Sequence, residues 1–471
     1  MPVSATAREQ VAAMSQKDTY RLIVFDPAGT AILLESQGRE YRLPQVEIPK
    51  FTRPALEVTE LLRSSLTVSC VFLFSGVLEA FPETSYFAVL ESRDAFRLRP
   101  QGMEWFTIHH ALSNLLFARH ERRVVKSCYR KAVSRTLVDS REPFCRVGWM
   151  CELQEWVDSI IRPLGMELKS FEQVNGSETF SLIRFATTKQ PVWFKAVGEP
   201  NVHEYGISQA LARLLPEFVP TILGTKPECH GWLMSDGGEK TLAEVEGSPA
   251  WQVALTSLAD LQISSVSVTD QLLRAGAKDL RIATLLELVD PFLEAMGGLM
   301  KQQTKVPPPI LSRLELLDLS ATLKGALHCL DALQIPDTLG HSDFNPGNIL
   351  VGSERCVFID WAEAHVSHPF FTFEYLISHL RKDYPSLTQV EGAIRSSYAQ
   401  RWQSVSLSEQ VSEAFLFSPL VAVFAYAVAG NSWRDPERLE IPQVPGYLRS
   451  LTRRMKQEAD SVQRRRVECI N

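Results

Sequence analysis

The sequence predicts an α+β protein: a compact mixed unit, then a small β-rich lobe, then a large helical lobe. Three observations carry that prediction. A strand–turn–strand pattern opens at residues 20–34. Two apolar strand patterns recur at 180–185 and 192–197, joined by a polar turn. From there apolar residues at helical spacing dominate to the C-terminus, interrupted by two short apolar strands at 349–351 and 357–360.

In chain order, residues 1–19 form an N-terminal tail. Residues 20–117 make the first unit. Residues 20–25 read as a strand, Asp26-Pro-Ala-Gly29 as a turn, and 30–34 as the returning strand of a hairpin. Thr52 is placed to cap a helix that Pro54 opens and that Leu56, Leu61 and Leu62 amphipathically pattern. Residues 68–74 and 85–90 read as further strands. Residues 118–165 form a helical connector whose basic run, Arg119 to Arg123, is expected on a solvated face. Residues 166–240 make the β-rich lobe, with a helix from about 201 to 215. Residues 241–471 make the helical lobe, in which Pro307-Pro-Pro309 breaks a helix.

Composition narrows the function classes. At 471 residues the chain has room for two or three domains of ~150 residues each. Apolar residues are 45% and charged residues 22%, which suits a packed globular protein. The formal net charge of −6 argues against a nucleic-acid partner, which usually calls for a basic excess. Eight scattered cysteines form no CxxC pair, so reduced thiols are expected rather than a zinc or redox site. The N-terminus has no apolar h-region. The most apolar stretch, 415–429, is interrupted by Ser418 and Pro419 and falls short of the ~20 residues of a membrane span. A buried helix and a cytoplasmic protein are expected.

Four features in fixed order carry chemistry. Lys195 lies in an apolar strand, and Glu204 near the start of the next helix. His341, Asp343 and Asn348 fall in His341-Ser-Asp-Phe-Asn-Pro-Gly-Asn348, followed by a short apolar strand. Asp360 closes a second short strand. Phosphoryl transfer needs these types. A lysine offsets phosphate charge and an acid fixes it. A carboxylate and an amide oxygen suit Mg2+, which prefers oxygen ligands. A further carboxylate accepts the proton of the acceptor hydroxyl. Pro346 and Gly347 favour the tight turn that lets one loop present Asp343 and Asn348 together. The plainer alternatives are a strand lysine reaching solvent and a first-turn glutamate favoured by the helix dipole.

The loop at 341–351 resembles that of aminoglycoside phosphotransferases and choline-kinase-like enzymes, which share a two-lobed protein-kinase-like fold. Ile359-Asp-Trp361 resembles their second metal motif, and Leu258-Ala-Asp-Leu-Gln262 a helix preceding the catalytic region. Gly231-Trp-Leu-Met-Ser-Asp236 resembles the hinge that holds adenine by main-chain bonds. The resemblance spans roughly residues 166–430. It implies ATP or GTP as co-substrate, with Lys195 on phosphate and Glu204 paired to it. Asp343 would be the base, Asn348 and Asp360 the Mg2+ ligands, and His341 a brace of the loop. Gly176 would lie in the phosphate-covering loop 173–180, and Trp232 and Met234 in the hinge. Two departures stand out: Ser342 replaces a glycine, and His365 and His368 stand where glycine and aspartate are usual. A metal reading of His365, His368 and His379 fails for want of ligand spacing; surface or loop-bracing positions are expected.

The first unit is weakly similar to a Nudix domain through its hairpin, the following helix and Glu104-Trp-Phe106. The helix core reads Thr59-Glu-Leu-Leu-Arg-Ser-Ser65, which keeps Glu60 but lacks the paired carboxylates that hold metal. No hydrolase activity is expected from it. The basic C-terminal run, with Arg453, Arg454, Lys456 and Arg464 to Arg466, is expected to be a solvated helix. Basic residues slightly outnumber acidic ones after residue 370, which does not favour a polycationic acceptor. The favoured function is a kinase for a small-molecule hydroxyl. A nucleotide-binding regulator signalling through the first unit is the alternative.

Overall fold

The computed structural model describes residues 16–470 apart from 38–39, 79–84, 94–101, 114–118, 134–142, 239 and 353. Most of the expected N-terminal tail, and the side chains of Arg119, His120, Arg465 and Arg466, lie outside the described residues. The chain forms two compact units: residues 1–205 with 222–236, and residues 206–221 with 237–471.

The first unit holds two sheets. Seven strands make the first: β1 (Lys17–Phe25), β2 (Ala31–Gln37), β3 (Glu40–Arg42), β4 (Gln45–Pro49), β5 (Cys70–Leu78), β6 (Ser85–Ser92) and β7 (Met103–Thr107). Their order is β3-β2-β1-β6-β5, with β4 also on β1 and β7 on β2. Only the β1–β6 pair among these is parallel. The Asp26 carboxylate builds the first turn by accepting the main-chain N–H groups of Thr30 and Ala31, each at 2.6 Å. Gly29 completes it at φ +68°, where a side chain would also press on Val133.

Strand β1 is buried on both faces by alternation. Leu22 and Val24 pack with Ala55, Val58 and Leu62 of helix α1 (Pro54–Leu66). Ile23 and Phe25 face the opposite way, into a core with Trp149, Leu153 and Val157. Helix α1 departs from expectation at its start. Arg53, not Thr52, occupies the cap position, and the Thr52 hydroxyl donates instead to the Pro49 carbonyl at 2.7 Å. Pro54 already supplies the preset φ of a first turn, so the helix forms without a side-chain cap. Helix α2 (Ile108–Ser113) follows β7, and the connector supplies α3 (Arg119–Val133) and α4 (Trp149–Ile161).

The second sheet is antiparallel, in the order β11-β12-β10-β9-β8. Its strands are β8 (Leu168–Ser177), β9 (Phe180–Thr187), β10 (Val192–Val197), β11 (Ile222–Lys226) and β12 (Gly231–Ser235). The segment expected as a loop at 173–180 is instead the end of a hairpin, with only Glu178 and Thr179 between paired strands. Ile183, Phe185 and Phe194 join the same core as β1 and α4. Helix α5 (His203–Leu214) follows β10.

The second unit is mainly helical: α6 (Ser248–Ser265), α7 (Thr269–Arg274), α8 (Ile282–Lys301), α9 (Arg313–Ala332), α10 (Phe370–Asp383), α11 (Glu391–Trp402), α12 (Ser408–Ala429), α13 (Pro436–Glu440) and α14 (Gln443–Ile470). Three short strands, β13 (Lys278–Leu280), β14 (Thr338–His341) and β17 (Ala364–Ser367), form one sheet, and β15 (Ile349–Val351) pairs with β16 (Cys356–Phe358). Helix α12 is the buried helix expected at 415–429, and it runs unbroken through Ser418 and Pro419, with the Ser418 hydroxyl donating to the Ala414 carbonyl. It is long and apolar enough to cross a membrane, but 61% of its most apolar window is buried, in a core with Phe292 and Trp433. Helix α14 is not simply solvated. Leu448, Leu451, Met455 and Val462 face the core, and Arg453 donates to the Pro309 carbonyl at 2.6 Å.

Candidate active site

In the first unit, β10 carries Lys195 and the first turn of α5 carries Glu204. Only residues 198–202 separate strand from helix, and that short connection lets the two side chains meet. Lys195 Nζ donates to Glu204 Oε1 at 2.5 Å. Both are buried, at 5% and 2% exposure. The ammonium also lies 5.5 Å from the Phe180 ring and 5.8 Å from the Trp232 ring, within cation–π range. A buried ion pair of this kind is held by geometry rather than by large net stability.

Trp232 and Met234 sit in β12 with a partner strand on either side. Trp232 registers with Lys195 and Thr225, and Met234 with Trp193 and Ile222. Their main chains therefore belong to the sheet, and β11 pairing stops at Met234. Main-chain groups for an adenine would have to come from the end of β12, at Ser235 and beyond. Gly176 lies within β8, and its N–H donates to Asn175 Oδ1 at 2.9 Å. A Cβ there would stand 2.6 Å from the Gln173 amide nitrogen, which is a packing reason for glycine.

In the second unit, β14 ends at His341 and delivers the loop that follows. The Asp343 carboxylate accepts from Asn345 Nδ2 at 3.0 Å, from Asn348 Nδ2 at 3.3 Å and from the Tyr375 hydroxyl at 3.4 Å. Asn345 also accepts the Gly347 N–H at 2.8 Å, closing the turn that Pro346 and Gly347 were expected to make. Asn348 Nδ2 donates to the Asp343 carbonyl at 2.9 Å, which turns its Oδ1 to the other side of the amide.

His341 ties this loop to the Asp360 segment. Its Nδ1 accepts the Asp343 N–H at 3.0 Å, so Nε2 carries the proton and faces the Ile359 carbonyl at 3.3 Å. Burial lowers its pKa, against the opposing pull of Asp360 and Asp343, so the ring is neutral. The Ile359 N–H donates to the Asn348 carbonyl at 3.1 Å. Asp360 does not close a strand as expected: β16 ends at Phe358, and Asp360 stands exposed in the left-handed region at φ 66°. Aspartate tolerates that region better than most residues. Asn348 Oδ1 and the Asp360 carboxylate are hard oxygen donors, and this donor set fits Mg2+.

The two departures from the family pattern meet each other. Ser342 Oγ lies 3.1 Å from His365 Nδ1. His365 and His368 are both buried and brace the turn into α10; neither is a surface residue. His368 Nδ1 accepts the Phe370 N–H at 3.3 Å. His379 instead pairs with Asp383 on α10 at 3.0 Å. Sequence reasoning missed Asn345 and Tyr375. Asn345 was visible inside the motif as an Asx-turn residue. Tyr375 had no local signal, because its helix follows 32 residues later in the chain.

A cavity of about 190 Å3 lies on the Tyr375 side of Asp343. Tyr375, Tyr426 and Tyr447 line it, and the Tyr447 hydroxyl donates to that of Tyr426 at 2.9 Å. Its charges are mixed: Arg381, Lys382 and Arg454 against Glu374 and Glu458. Glu374 is already paired with Arg395 at 2.8 Å.

Residues 273–405 match the phosphotransferase enzyme family. No curated protein matches the chain. Several solved structures are similar at low identity. Macrolide 2′-phosphotransferase MphH from Brachybacterium faecium is 17% identical over 61% of this chain and 96% of that one, with a TM-score of 0.39. A choline/ethanolamine kinase family protein from Mesorhizobium loti is 13% identical over 66% and 98%, at 0.41. Choline kinase from Cryptosporidium parvum is 12% identical over 67% and 96%, at 0.40. The matched family segment holds His341, Asp343, Asn348 and Asp360, while Lys195 and Glu204 lie before it.

Proposed function

We propose that this chain is a nucleotide-dependent phosphotransferase that moves the γ-phosphoryl group of ATP or GTP to a hydroxyl of a small molecule, on a protein-kinase-like fold. The observation that carries the reading is the Asp343 carboxylate, held by two asparagines and a tyrosine on a loop inside the matched segment. Asp343 orients the acceptor hydroxyl and takes its proton as the oxygen attacks phosphorus. Tyr375 and Asn345 keep its Oδ1 in place. His341, neutral and bonded at both nitrogens, holds the loop against the Asp360 segment. Asn348 and Asp360 would hold Mg2+, which when bound offsets the charge of the phosphates. Lys195, positioned by Glu204, binds phosphate oxygens. The acceptor enters beside Tyr375, and the mixed charge there suits a neutral or zwitterionic molecule better than a polycation. The described cysteines are free thiols, in keeping with a cytoplasmic setting.

The N-terminal unit is read as Nudix-like but without hydrolase chemistry. Its surviving Glu60 is engaged by Arg63 at 2.6 Å. The test is a screen of metabolites and antibiotics with radiolabelled ATP and GTP, in which a true substrate is labelled by the wild type and not by Asp343→Asn. Equal labelling by both would overturn the assignment of the base. The regulatory alternative draws on one observation, the bonding of Gln173 to the main chain of Phe72. Mg2+-dependent nucleotide binding with no turnover across the whole screen would favour it.

A further inference from the structure

The first unit contains a cleft that has no part in the reaction proposed above. It encloses about 540 Å3 and is walled by helix α1 on one side and by β8 and β9 on the other. Leu56 and Thr59 line the helix side, and Phe171 lies on the strand side.

The charge of this cleft is unbalanced. Arg63, Arg93, Lys169 and Arg184 reach it, against Glu60 and Glu172. Arg63 is bound by Glu60, and Lys169 by Glu167 at 3.1 Å. Arg93 is oriented by Gln154 at 2.7 Å, lies 3.7 Å from the buried Glu91 carboxylate and stands over the Phe171 ring, 5.8 Å from its centre. Arg184 differs. It is half-buried in the middle of β9 and forms no ion pair among the described residues, although Glu172 is its partner in register. A guanidinium half removed from water with no fixed counter-ion favours an oxyanion, which it binds through two parallel N–H groups. The Phe171 ring, with Arg93 over it, adds an apolar wall against which a flat ring can pack.

The floor of the cleft is the strand that leads to the β8–β9 hairpin. Gln173, two residues beyond Phe171, is 5% exposed and acts as a side-chain splice between the sheets. Its Oε1 accepts the Phe72 N–H at 2.8 Å and its Nε2 donates to the Phe72 carbonyl at 2.9 Å. Three residues further, Gly176 makes room for that amide. An occupant of the cleft therefore bears on the segment that ends at Glu178 and Thr179.

The geometry points to an effector site in this cleft for a small, flat organic oxyanion, bearing either a phosphate or a carboxylate group. Arg184 binds the anionic group, and Phe171 borders the ring. A ligand here stiffens β8 and alters nucleotide affinity rather than the chemical step. That last effect rests on the phosphotransferase reading; the binding itself does not.

The test uses ligand-observed saturation-transfer NMR on the full chain with phenyl phosphate, benzoate and neutral benzamide as probes. At least one oxyanion binds, benzamide binds at least ~10-fold more weakly, and Arg184→Gln weakens the oxyanion by at least ~10-fold. Thr59→Trp, which fills the cleft from the surface of α1, does the same. Asp360→Ala leaves binding unchanged. Preference between the first two probes separates the phosphate source from the carboxylate source. No transfer from either oxyanion at millimolar concentration overturns the proposal. So does binding indifferent to Arg184→Gln and Thr59→Trp, or binding lost with Asp360→Ala, which would assign the probe to the second unit. If binding behaves as expected but the nucleotide KM is unmoved, the site stands and its coupling to the hairpin falls.

Discussion

The Tyr375 hydroxyl, on helix α10, donates to Oδ1 of Asp343 at 3.4 Å and so reaches the proposed base from outside its loop. Burial, then the Asp343 charge, raise the Tyr375 pKa, which keeps the phenol a donor. Asp343→Asn is expected to lower turnover at least ~10²-fold, or about 3 kcal/mol of barrier. Tyr375→Phe removes one long hydrogen bond and should lower kcat only a few-fold. Steady-state kinetics on the substrate found by screening check both. A loss from Tyr375→Phe as large as that from Asp343→Asn would give the tyrosine a direct chemical role.

Lys195 and Glu204 are buried together as an ion pair, so removing one breaks a desolvated pair. Lys195→Met or Glu204→Leu alone should cost about 3–5 kcal/mol of stability. The double variant Lys195→Met/Glu204→Leu should recover much of that, because two apolar side chains replace two desolvated ions. Urea unfolding of the single and double variants measures the coupling. Additive losses would show that the pair is not a unit.

Asp360 combines a charge with a left-handed backbone at φ 66°. Asp360→Asn keeps a residue suited to that conformation, and Asp360→Ala adds a backbone penalty of about 1 kcal/mol. Both should abolish turnover. Thermal unfolding should separate them, with the asparagine variant near wild type and the alanine variant lower.

Gln173 satisfies both main-chain groups of Phe72. Gln173→Ala leaves a buried donor and acceptor without partners, at about 1–3 kcal/mol for each group. Hydrogen exchange should rise at Phe72 and along β8. Unchanged exchange at Phe72 would mean that water replaces the amide.

Burial depresses the pKa of His365 and of His368 to about 3, from an ordinary 6.5. The unfolded chain therefore binds more protons than the folded one between those values, and stability rises with pH there. The contribution is fully present above pH 6.5 and is lost as pH falls towards 3. Each histidine should cost roughly 2 kcal/mol between pH 6.5 and 5. His368→Asn keeps an acceptor for the Phe370 N–H and removes one titration, so the slope of unfolding free energy against pH should fall.

Much of the fold was legible because its signals are local. The alternation of β1, the strand carrying Lys195 and the helical spacing after residue 241 each arise from neighbours in sequence. The loop at 341–348 was legible for the same reason: its carboxylate, amide and turn residues fall within one short stretch. The helix start at Arg53 was misread because proline substitutes for a side-chain cap. Helix α12 was legible as a buried helix, but its start at Ser408 was not, because it lies before the apolar stretch at 415–429.

By itself the sequence determined which chemical groups are present and in what order. Tertiary structure decided partners the sequence did not pair: Tyr375 for Asp343, His365 for Ser342, and Phe72 for Gln173, 101 residues away. Local pattern reports on propensity and periodicity, which act over a few residues. Hydrogen bonds and burial act through space, and only the folded chain brings those atoms within reach.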